Sequence, residues 1–255
     1  SGLAKDGGLY TPIELNDIRI DLDKCLDLNY QELATYILSN ILDDFTEKEI
    51  KACVINGYTD TFKTDDVILV TNIGNDFLLE LYHGPTSAFK DVALTILPHL
   101  LSTAYKTHDK NKKIYILTAT SGDTGKAALE AFKDVKNIYI TVFYPQDGVS
   151  EIQERQMNTT RGNNVDVVSV AGNFDDCQRL VKTIYEDGEI NETYRNVQSS
   201  SANSINIGRL MPQVVYYFKA YIALVKNEVI KLNDKVNFIV PTGNFGDILA
   251  GYIAK

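Results

Sequence analysis

The amino-acid sequence predicts an α/β fold built on a parallel β-sheet. From Lys112 onward, apolar and β-branched runs alternate with stretches of helical periodicity, which is the pattern of βαβ units. The chain of 255 residues is 44% hydrophobic, so it has ample material for a core. Two glycine-bearing turns, each placed where a predicted strand passes into a helix, agree with this architecture.

The first part of the chain is expected to form helices and one hairpin. Asn29–Glu32 and Thr46–Glu49 have the spacing of capping boxes, and each predicts the start of a helix. Gly57 is the expected end of the second helix. The runs "DVILV" and "DFLLELY" flank Gly74–Asn75 and predict a hairpin, with the second run alternating like a buried strand. The following segment, "VALTILPHLLSTAY", predicts a helix.

The second part of the chain predicts the sheet itself. The expected strands are "KIYILTAT", "NIYITVFYP", "NVDVVSV" and "YRNVQSS", separated by helical stretches such as "KAALEAF" and "DDCQRLVKTIY". A long amphipathic segment, "LMPQVVYYFKAYIALVKN", interrupts the series before a further strand, "VNFIVPTG". We therefore expect residues 93–205 to form a smaller open α/β domain. Residues 1–92 would pack with a large domain that starts in 206–255.

Charge and cysteine content exclude several classes of protein. The net charge is −9 and no Lys/Arg-rich run offsets it, which argues against nucleic-acid binding. No apolar run approaches membrane-spanning length, and no signal-peptide pattern opens the chain. Cys25, Cys53 and Cys177 are odd in number and lack metal spacing, which suits packed thiols in a reducing cytoplasm.

The turn "TATSGDTGKAALEAF" is the first candidate site. Ser121, Gly122, Asp123, Thr124 and Gly125 lie between a strand and a helix, where backbone N–H groups and the helix dipole favour an anion. A P-loop would need glycine where Thr120 stands and Ser or Thr where Ala127 stands, so a nucleoside triphosphate is not expected. A tight turn with a helix cap explains this stretch equally well.

The turn "FIVPTGNFGDILAGYIAK" is the second candidate site. Gly243, Asn244, Phe245, Gly246 and Asp247 follow a predicted strand and open a predicted helix. Two glycines three residues apart allow backbone amides to approach a phosphate closely. The G-x-G-x-x-G dinucleotide pattern is not met, which disfavours a nucleotide-binding α/β protein.

Lys90 is the third candidate. It stands in "HGPTSAFKD", among small and apolar residues between a predicted strand and a predicted helix. Desolvation lowers the pKa of such a lysine and frees its amine as a nucleophile or base, for example toward the carbonyl of pyridoxal phosphate. A solvated lysine at a helix start is the alternative. The helix dipole makes that position slightly unfavourable for a cation and favours a functional role.

Four motifs in order resemble those of threonine synthase, a fold-type II enzyme family dependent on pyridoxal 5′-phosphate. They are "HGPTSAFKD", "SGDTG", "SSANSINIGRL" and "PTGNFGD", and the opening "DGGLYTP" is similar to the family's early segment. The resemblance runs from about residue 3 to the end of the chain. It implies parallel-sheet, three-layer domains, with the C-terminal part of the large domain missing from this chain.

The resemblance also implies roles for individual residues. Lys90 matches the lysine that binds the cofactor covalently and later moves protons. Gly243–Asp247 match the loop around the cofactor's 5′-phosphate, and Asp123 matches a polar residue near its 3′-oxygen. Ser121 and Thr124, with the adjacent amides, among them that of Gly122, would hold the substrate carboxylate. Ser204, Asn206 and Arg209 are the candidates for the substrate phosphate; a salt bridge at a helix start is the equal alternative for Arg209.

The implied reaction converts O-phospho-L-homoserine and water into L-threonine and phosphate by γ-elimination and β-addition. Two alternatives stay open: a threonine-synthase-like phospho-lyase that does not hydrate, and a non-catalytic chain that binds the cofactor. Members of the family continue well past the phosphate loop, so this chain is expected to be a partial one whose activity alone is in question. A monomer or a homodimer in the cytoplasm is expected, with a small-molecule substrate and no metal.

Overall fold

A computed structural model describes residues 8, 10, 11, 17–64, 66–108, 113–187, 193 and 196–255 of the chain. Most of the opening "DGGLYTP" lies outside these residues. The chain divides into two compact units. One unit is formed mainly by residues 101–206, and the other by residues 11–100 and 207–255. Among the described residues, no helix is long and apolar enough to cross a membrane.

The described elements follow one another in a helix-rich start, an alternating middle and a helical end. The first are α1 (Leu22–Cys25), α2 (Tyr30–Ile41), α3 (Glu47–Tyr58), β1 (Leu69–Ile73), β2 (Asp76–Glu80), α4 (Asp91–Leu94) and α5 (Leu97–His108). The middle contains β3 (Lys113–Ala119), α6 (Asp123–Phe132), β4 (Ile138–Pro145), α7 (Glu151–Asn158), β5 (Val165–Val170), α8 (Phe174–Glu186) and β6 (Val197–Ser200). The end contains α9 (Ile207–Lys226) and α10 (Gly246–Ala254).

Local capping signals position α2 and α3. Asn29 and Thr46 each accept a hydrogen bond from the N–H of the glutamate three residues on, and each glutamate side chain returns one. Both predicted capping boxes are therefore confirmed. The prediction that Gly57 ends α3 is wrong, because the helix continues to Tyr58. Gly57 serves packing instead, since a Cβ there would lie 2.9 Å from Cα of Ile96.

The hairpin is confirmed, but its second strand is not buried. β1 and β2 pair antiparallel across Gly74, whose φ of +77° suits glycine. Leu78 in β2 is 43% exposed, so alternation here does not mark a core strand. The helix predicted next is interrupted: α4 ends at Leu94 and α5 starts at Leu97. Pro98 fits this break, because it has no N–H to donate to the carbonyl of Leu94 and so cannot continue α4.

The sheet predicted from the alternating pattern is confirmed as a four-stranded parallel sheet. Its strand order is β5-β4-β3-β6. The chain passes from β3 to β4 and β5 on one side and then crosses to β6 on the other side of β3. β3 and β6 thus flank a topological switch point, where ligands of open α/β sheets bind beyond the carboxyl ends of the strands. The helix α7 was not predicted from the sequence. It starts with a capping box between Ser150 and Gln153.

The strand predicted in "VNFIVPTG" is not present: the residues between α9 and α10 form no regular ladder. Ile239 is 93% exposed, and no described strand lies beside this segment to accept its backbone hydrogen bonds. The long amphipathic helix is confirmed as α9. Its buried residues join those of α2 and α3 in the core of the second unit.

The buried Asn164 side chain ties two connecting segments to the sheet. Its Nδ2 donates to the carbonyls of Phe132 at 2.8 Å and Ile138 at 2.7 Å, and its Oδ1 accepts from the N–H of Asp134 at 2.6 Å.

Replacing the Asn164 side chain with a methyl group leaves these backbone groups without their hydrogen-bond partner. We expect Asn164→Ala to lower the free energy of unfolding by about 2 kcal/mol. Urea titration measures the loss. Asn163 is exposed and adjacent, and Asn163→Ala should cost under about 1 kcal/mol. An equal loss of stability in the two variants would contradict the stabilising role given to the Asn164 side chain.

Candidate functional site

The turn before α4 is organised around a buried carboxyl group. Asp91 is 1% exposed, and its side chain accepts from the N–H of Thr86 at 2.8 Å and from the Thr86 hydroxyl at 2.6 Å. Gly84 lies against this carboxyl: a Cβ there would be 2.4 Å from Cβ of Asp91. Ser87 adopts a φ of +58°, which is unusual for a residue other than glycine. The turn is thus held in one specific path by Asp91.

Lys90 is the last residue before α4. It is partly buried, and its Nζ lies 4.4 Å from the centroid of the Phe89 ring. It occupies the N-cap position of α4 without a side-chain cap hydrogen bond. The helix that it precedes packs against α9. The fold therefore places the Lys90 amine at a helix start, in a turn fixed by buried contacts.

The loop 243–247 forms the N-terminus of α10. Phe245 is the N-cap and makes no side-chain cap hydrogen bond, so the first N–H groups of α10 are not capped by it. Gly243 faces open space, since a Cβ built there meets no atom within 4 Å. Gly243, Asn244 and Phe245 are all exposed. α10 also packs against α9, so Lys90 and this loop start two helices that share one partner helix.

The side chain of Asp247 is turned toward α9. Its Oδ1 accepts from the hydroxyl of Tyr216 at 2.5 Å and from the hydroxyl of Tyr217 at 2.8 Å. Burial first, and then Asp247, raises the pKa of both tyrosines, that of Tyr216 well above its usual value. Both hydroxyls therefore remain donors at neutral pH. The sequence did not indicate this role for either tyrosine.

Arg209 lies in the first turn of α9 and is 3% exposed. Burial lowers the pKa of its guanidinium to about 10, with Tyr216 acting in the opposite direction. The group is still charged at neutral pH. A buried, charged guanidinium is suited to holding an anion.

Thr120 organises the SGDTG loop in the other unit. Its Oγ1 accepts from the N–H of Gly122 at 3.0 Å and from the N–H of Gly125 at 2.8 Å, and all three residues are buried. Gly122 has a φ of +143°, which requires glycine. The amides of Gly122 and Gly125 thus point back into the loop. Thr120, noted in the sequence only as a departure from the P-loop pattern, is the residue that shapes the turn.

We expect Thr120→Val to lower the free energy of unfolding by about 2 kcal/mol, because two buried N–H groups lose their acceptor while the side-chain volume is kept. Denaturant titration measures this. Thr120→Ser retains the hydroxyl and removes only a methyl group, so its loss should be about 1 kcal/mol or less. A Ser variant as unstable as the Val variant would show that packing, not the hydroxyl, holds the loop.

The remaining residues of this loop differ in exposure. Ser121 and Asp123 are exposed, and Thr124 is partly buried at the start of α6. The carboxylate of Asp123 accepts from Nε2 of Gln153 at 2.8 Å. Gln153 belongs to the capping box of α7, so the unpredicted helix α7 orients Asp123.

The segment after β6 carries the other candidates of this unit. Asn203 donates from Nδ2 to the carbonyl of Ala119 at 3.1 Å, so this segment and the SGDTG loop meet at the same edge of the sheet. Asn206 is 1% exposed, and its Nδ2 donates to the carbonyl of Ser201 at 2.8 Å and lies 3.3 Å from Oγ of Ser200. Its amide shapes the segment, while Ser204 is partly exposed.

The structure divides the candidates between its units. Lys90, Arg209 and Gly243–Asp247 belong to the unit of residues 11–100 and 207–255. Ser121–Thr124, Ser204 and Asn206 belong to the unit of residues 101–206. In each unit the candidates lie at helix starts or at the carboxyl ends of parallel strands, the places where backbone N–H groups are available to anions.

Comparison with known proteins shows a similarity to threonine synthases. The model "threonine synthase N terminus" matches residues 1–58. Threonine synthases of Saccharomyces cerevisiae and Pseudomonas aeruginosa are 39% and 40% identical to this chain over 269 and 258 residues, matching 100% of it. Along its whole length the chain is therefore similar to threonine synthases. It spans about half the length of these curated relatives, 51% and 53% respectively.

Two solved structures of threonine synthases are also similar to this chain. The crystal structure of threonine synthase from yeast has a TM-score of 0.84 and 37% identity, and the match covers 99% of this chain and 51% of that one. The crystal structure titled as threonine synthase with bound PLP, from Brucella melitensis, has a TM-score of 0.79 and 39% identity, covering 99% of this chain and 53% of that one. The fold-type II α/β class predicted from the sequence is confirmed.

Proposed function

We propose that this chain, which is similar to threonine synthases, belongs to their family, binds pyridoxal 5′-phosphate through Lys90 and serves the conversion of O-phospho-L-homoserine and water into L-threonine and phosphate. The observation that carries the proposal is the placement of Lys90 and of the uncapped 243–247 loop at the starts of two helices packed on α9. The identity to threonine synthases along the whole chain supports the same reaction.

The residues present fit the cofactor. A lysine amine is the group that attaches to the cofactor's aldehyde carbon, and Lys90 stands in a turn fixed by Asp91. A helix N-terminus whose N-cap side chain makes no hydrogen bond, with open space at Gly243, suits a phosphate. When bound, the cofactor supplies an electron sink for carbanion chemistry.

Lys90 would act as the proton carrier of the reaction. Its Nζ takes the proton from the α-carbon of the substrate, and a second proton then leaves the β-carbon. Phosphate departs from the γ-carbon with the bonding electron pair, and the γ-carbon is protonated to a methyl group. Water adds its hydroxyl at the β-carbon, and Lys90 returns a proton to the α-carbon. Every atom of substrate and water is then found in threonine and phosphate.

The two ends of the substrate would be held by different elements. Ser121 and Thr124, with the adjacent amides, are proposed for the carboxylate, and Asp123 for the region of the cofactor's 3′-oxygen. The N–H of Gly122 already donates to Oγ1 of Thr120, so it is left out of this set of donors. Arg209, Ser204 and Asn206 are proposed for the substrate phosphate. Burial of Arg209 supports this choice, because a desolvated guanidinium binds an anion more strongly than an exposed one does.

The protein is proposed to work in the cytoplasm as a monomer or homodimer, without nucleic acid. Cys25, Cys53 and Cys177 are buried and none of them forms a disulfide, as suits a reducing compartment. Burial raises the pKa of Cys25 to about 11, with Asp21 adding to the effect, and burial likewise raises that of Cys177. The thiols of Cys25 and Cys177 are therefore expected to stay protonated and unreactive.

The proposal is tested by borohydride reduction of the full-length protein with pyridoxal 5′-phosphate, followed by peptide mapping. We expect the reduced pyridoxyl group on Lys90. The protein is then supplied with O-phospho-L-homoserine, and threonine and phosphate are measured in equal amounts. A 2-oxo acid in place of threonine would indicate a phospho-lyase. Label without either product would indicate a non-catalytic cofactor-binding chain, and absence of label on Lys90 would refute the proposal.

A further inference from the structure

Asp247 stands in a position where its charge could obstruct phosphate binding. It is the second residue of α10, directly after Gly246, and a carboxylate in the first turn of a helix readily accepts from the helix's own N–H groups. The same N–H groups are those proposed for the cofactor phosphate. A free carboxylate here would compete with that phosphate and repel it.

The structure shows the carboxylate held elsewhere. The hydroxyls of Tyr216 and Tyr217 bind its Oδ1 at 2.5 and 2.8 Å, and Oη of Tyr217 also lies 3.0 Å from the Asp247 carbonyl. Tyr216 and Tyr217 are 1% and 4% exposed, so neither hydroxyl is easily replaced by water. Their rings lie 5.0 Å apart, and that of Tyr217 packs so closely on Gly251 that a Cβ there would come within 2.9 Å. The donors are rigid.

We propose that Tyr216 and Tyr217 are positioning residues that draw the Asp247 carboxylate away from the N-terminus of α10 and so leave its N–H groups to a phosphate. This inference rests on the proposed function, because the phosphate is that of pyridoxal 5′-phosphate. In this inference Asp247 makes no contact with the cofactor. The hydrogen bonds from the two tyrosines instead set the preference for a phosphorylated ligand over one without the phosphate.

The test compares the dissociation constants of pyridoxal 5′-phosphate and of pyridoxal for the full-length protein, in a buffer free of phosphate. Their ratio cancels any loss of overall stability, because both ligands meet the same folded fraction. In Tyr216→Phe/Tyr217→Phe the carboxylate loses both donors. We expect the preference for the phosphorylated ligand to fall by about tenfold, the size of one helix-cap interaction. Each single variant should show a smaller fall, so the test does not depend on the double variant alone.

Adding Asp247→Asn to the double variant removes the charge and should restore the ratio to within about twofold of the wild type. Tyr221→Phe is the matched control: its hydroxyl, on the same helix, donates to the carbonyl of Asp234 at 3.3 Å, so the ratio should stay unchanged. An unchanged ratio in the double variant would overturn the inference. So would equal weakening of both ligands, or a failure of Asp247→Asn to restore the ratio.

Failure of the inference is distinguishable from failure of the proposed function. If the wild-type protein binds neither ligand at Lys90, the cofactor assignment itself is wrong. If the wild type binds both ligands at Lys90 and the variants keep its ratio, only the role of the two tyrosines is wrong.

Discussion

Replacing Lys90 with alanine is expected to abolish borohydride labelling and to lower kcat/KM for threonine formation by at least about 10³-fold. The physical reason is that the Lys90 amine both binds the cofactor covalently and moves the α-proton, and water can substitute for neither role. The fold should survive the change, because the Lys90 side chain is only partly buried and makes no cap hydrogen bond to α4. Activity assays with circular dichroism separate the two effects.

Lys63→Ala is the matched control for Lys90→Ala. Lys63 is exposed, and its backbone N–H donates to the carbonyl of His83 at 2.9 Å, just before the same turn, so its side chain can be removed without touching that bond. This variant should keep its activity within about twofold. Activity retained by Lys90→Ala, or lost equally in both variants, would count against Lys90 as the reacting lysine.

The second large effect is expected for Asp91→Ala, which should lower the free energy of unfolding by about 3–4 kcal/mol. The loss of the carboxyl leaves the N–H and hydroxyl of Thr86 without their acceptor and opens a gap beside Gly84. Because Lys90 is the neighbouring residue, the rate of cofactor attachment should fall as well. Urea unfolding and the time course of labelling measure the two consequences.

Two further variants define the cause of that effect. Thr86→Val removes only the hydroxyl partner of Asp91, so its cost should be about 1–2 kcal/mol. Asp175→Ala, in the first turn of α8 and outside this turn, should cost under about 1 kcal/mol. If Asp91→Ala were no more disruptive than Asp175→Ala, the buried carboxyl would not be what fixes the turn.

The part of the site that could be predicted from the sequence is the part with a local cause. A lysine between small residues at a strand–helix junction, and glycines at the starts of helices, are visible in the chain because backbone geometry at such points depends on neighbouring residues. The partners that orient these groups could not be predicted. Asp247 meets Tyr216 and Tyr217 about 30 positions earlier, and Asp123 meets Gln153 in a helix that no periodicity had indicated.

By itself, the sequence determined the capping boxes of α2 and α3 and the hairpin at Gly74, because each depends on contacts within a few residues. It also determined the strands of the parallel sheet, because a buried strand has a recognisable apolar pattern. Tertiary structure decided the rest. Gly57 stays helical because Ile96 packs on it, and "VNFIVPTG" stays out of a sheet because no described strand offers it hydrogen bonds. Packing partners and ladder neighbours are distant in the chain, so no local pattern encodes them.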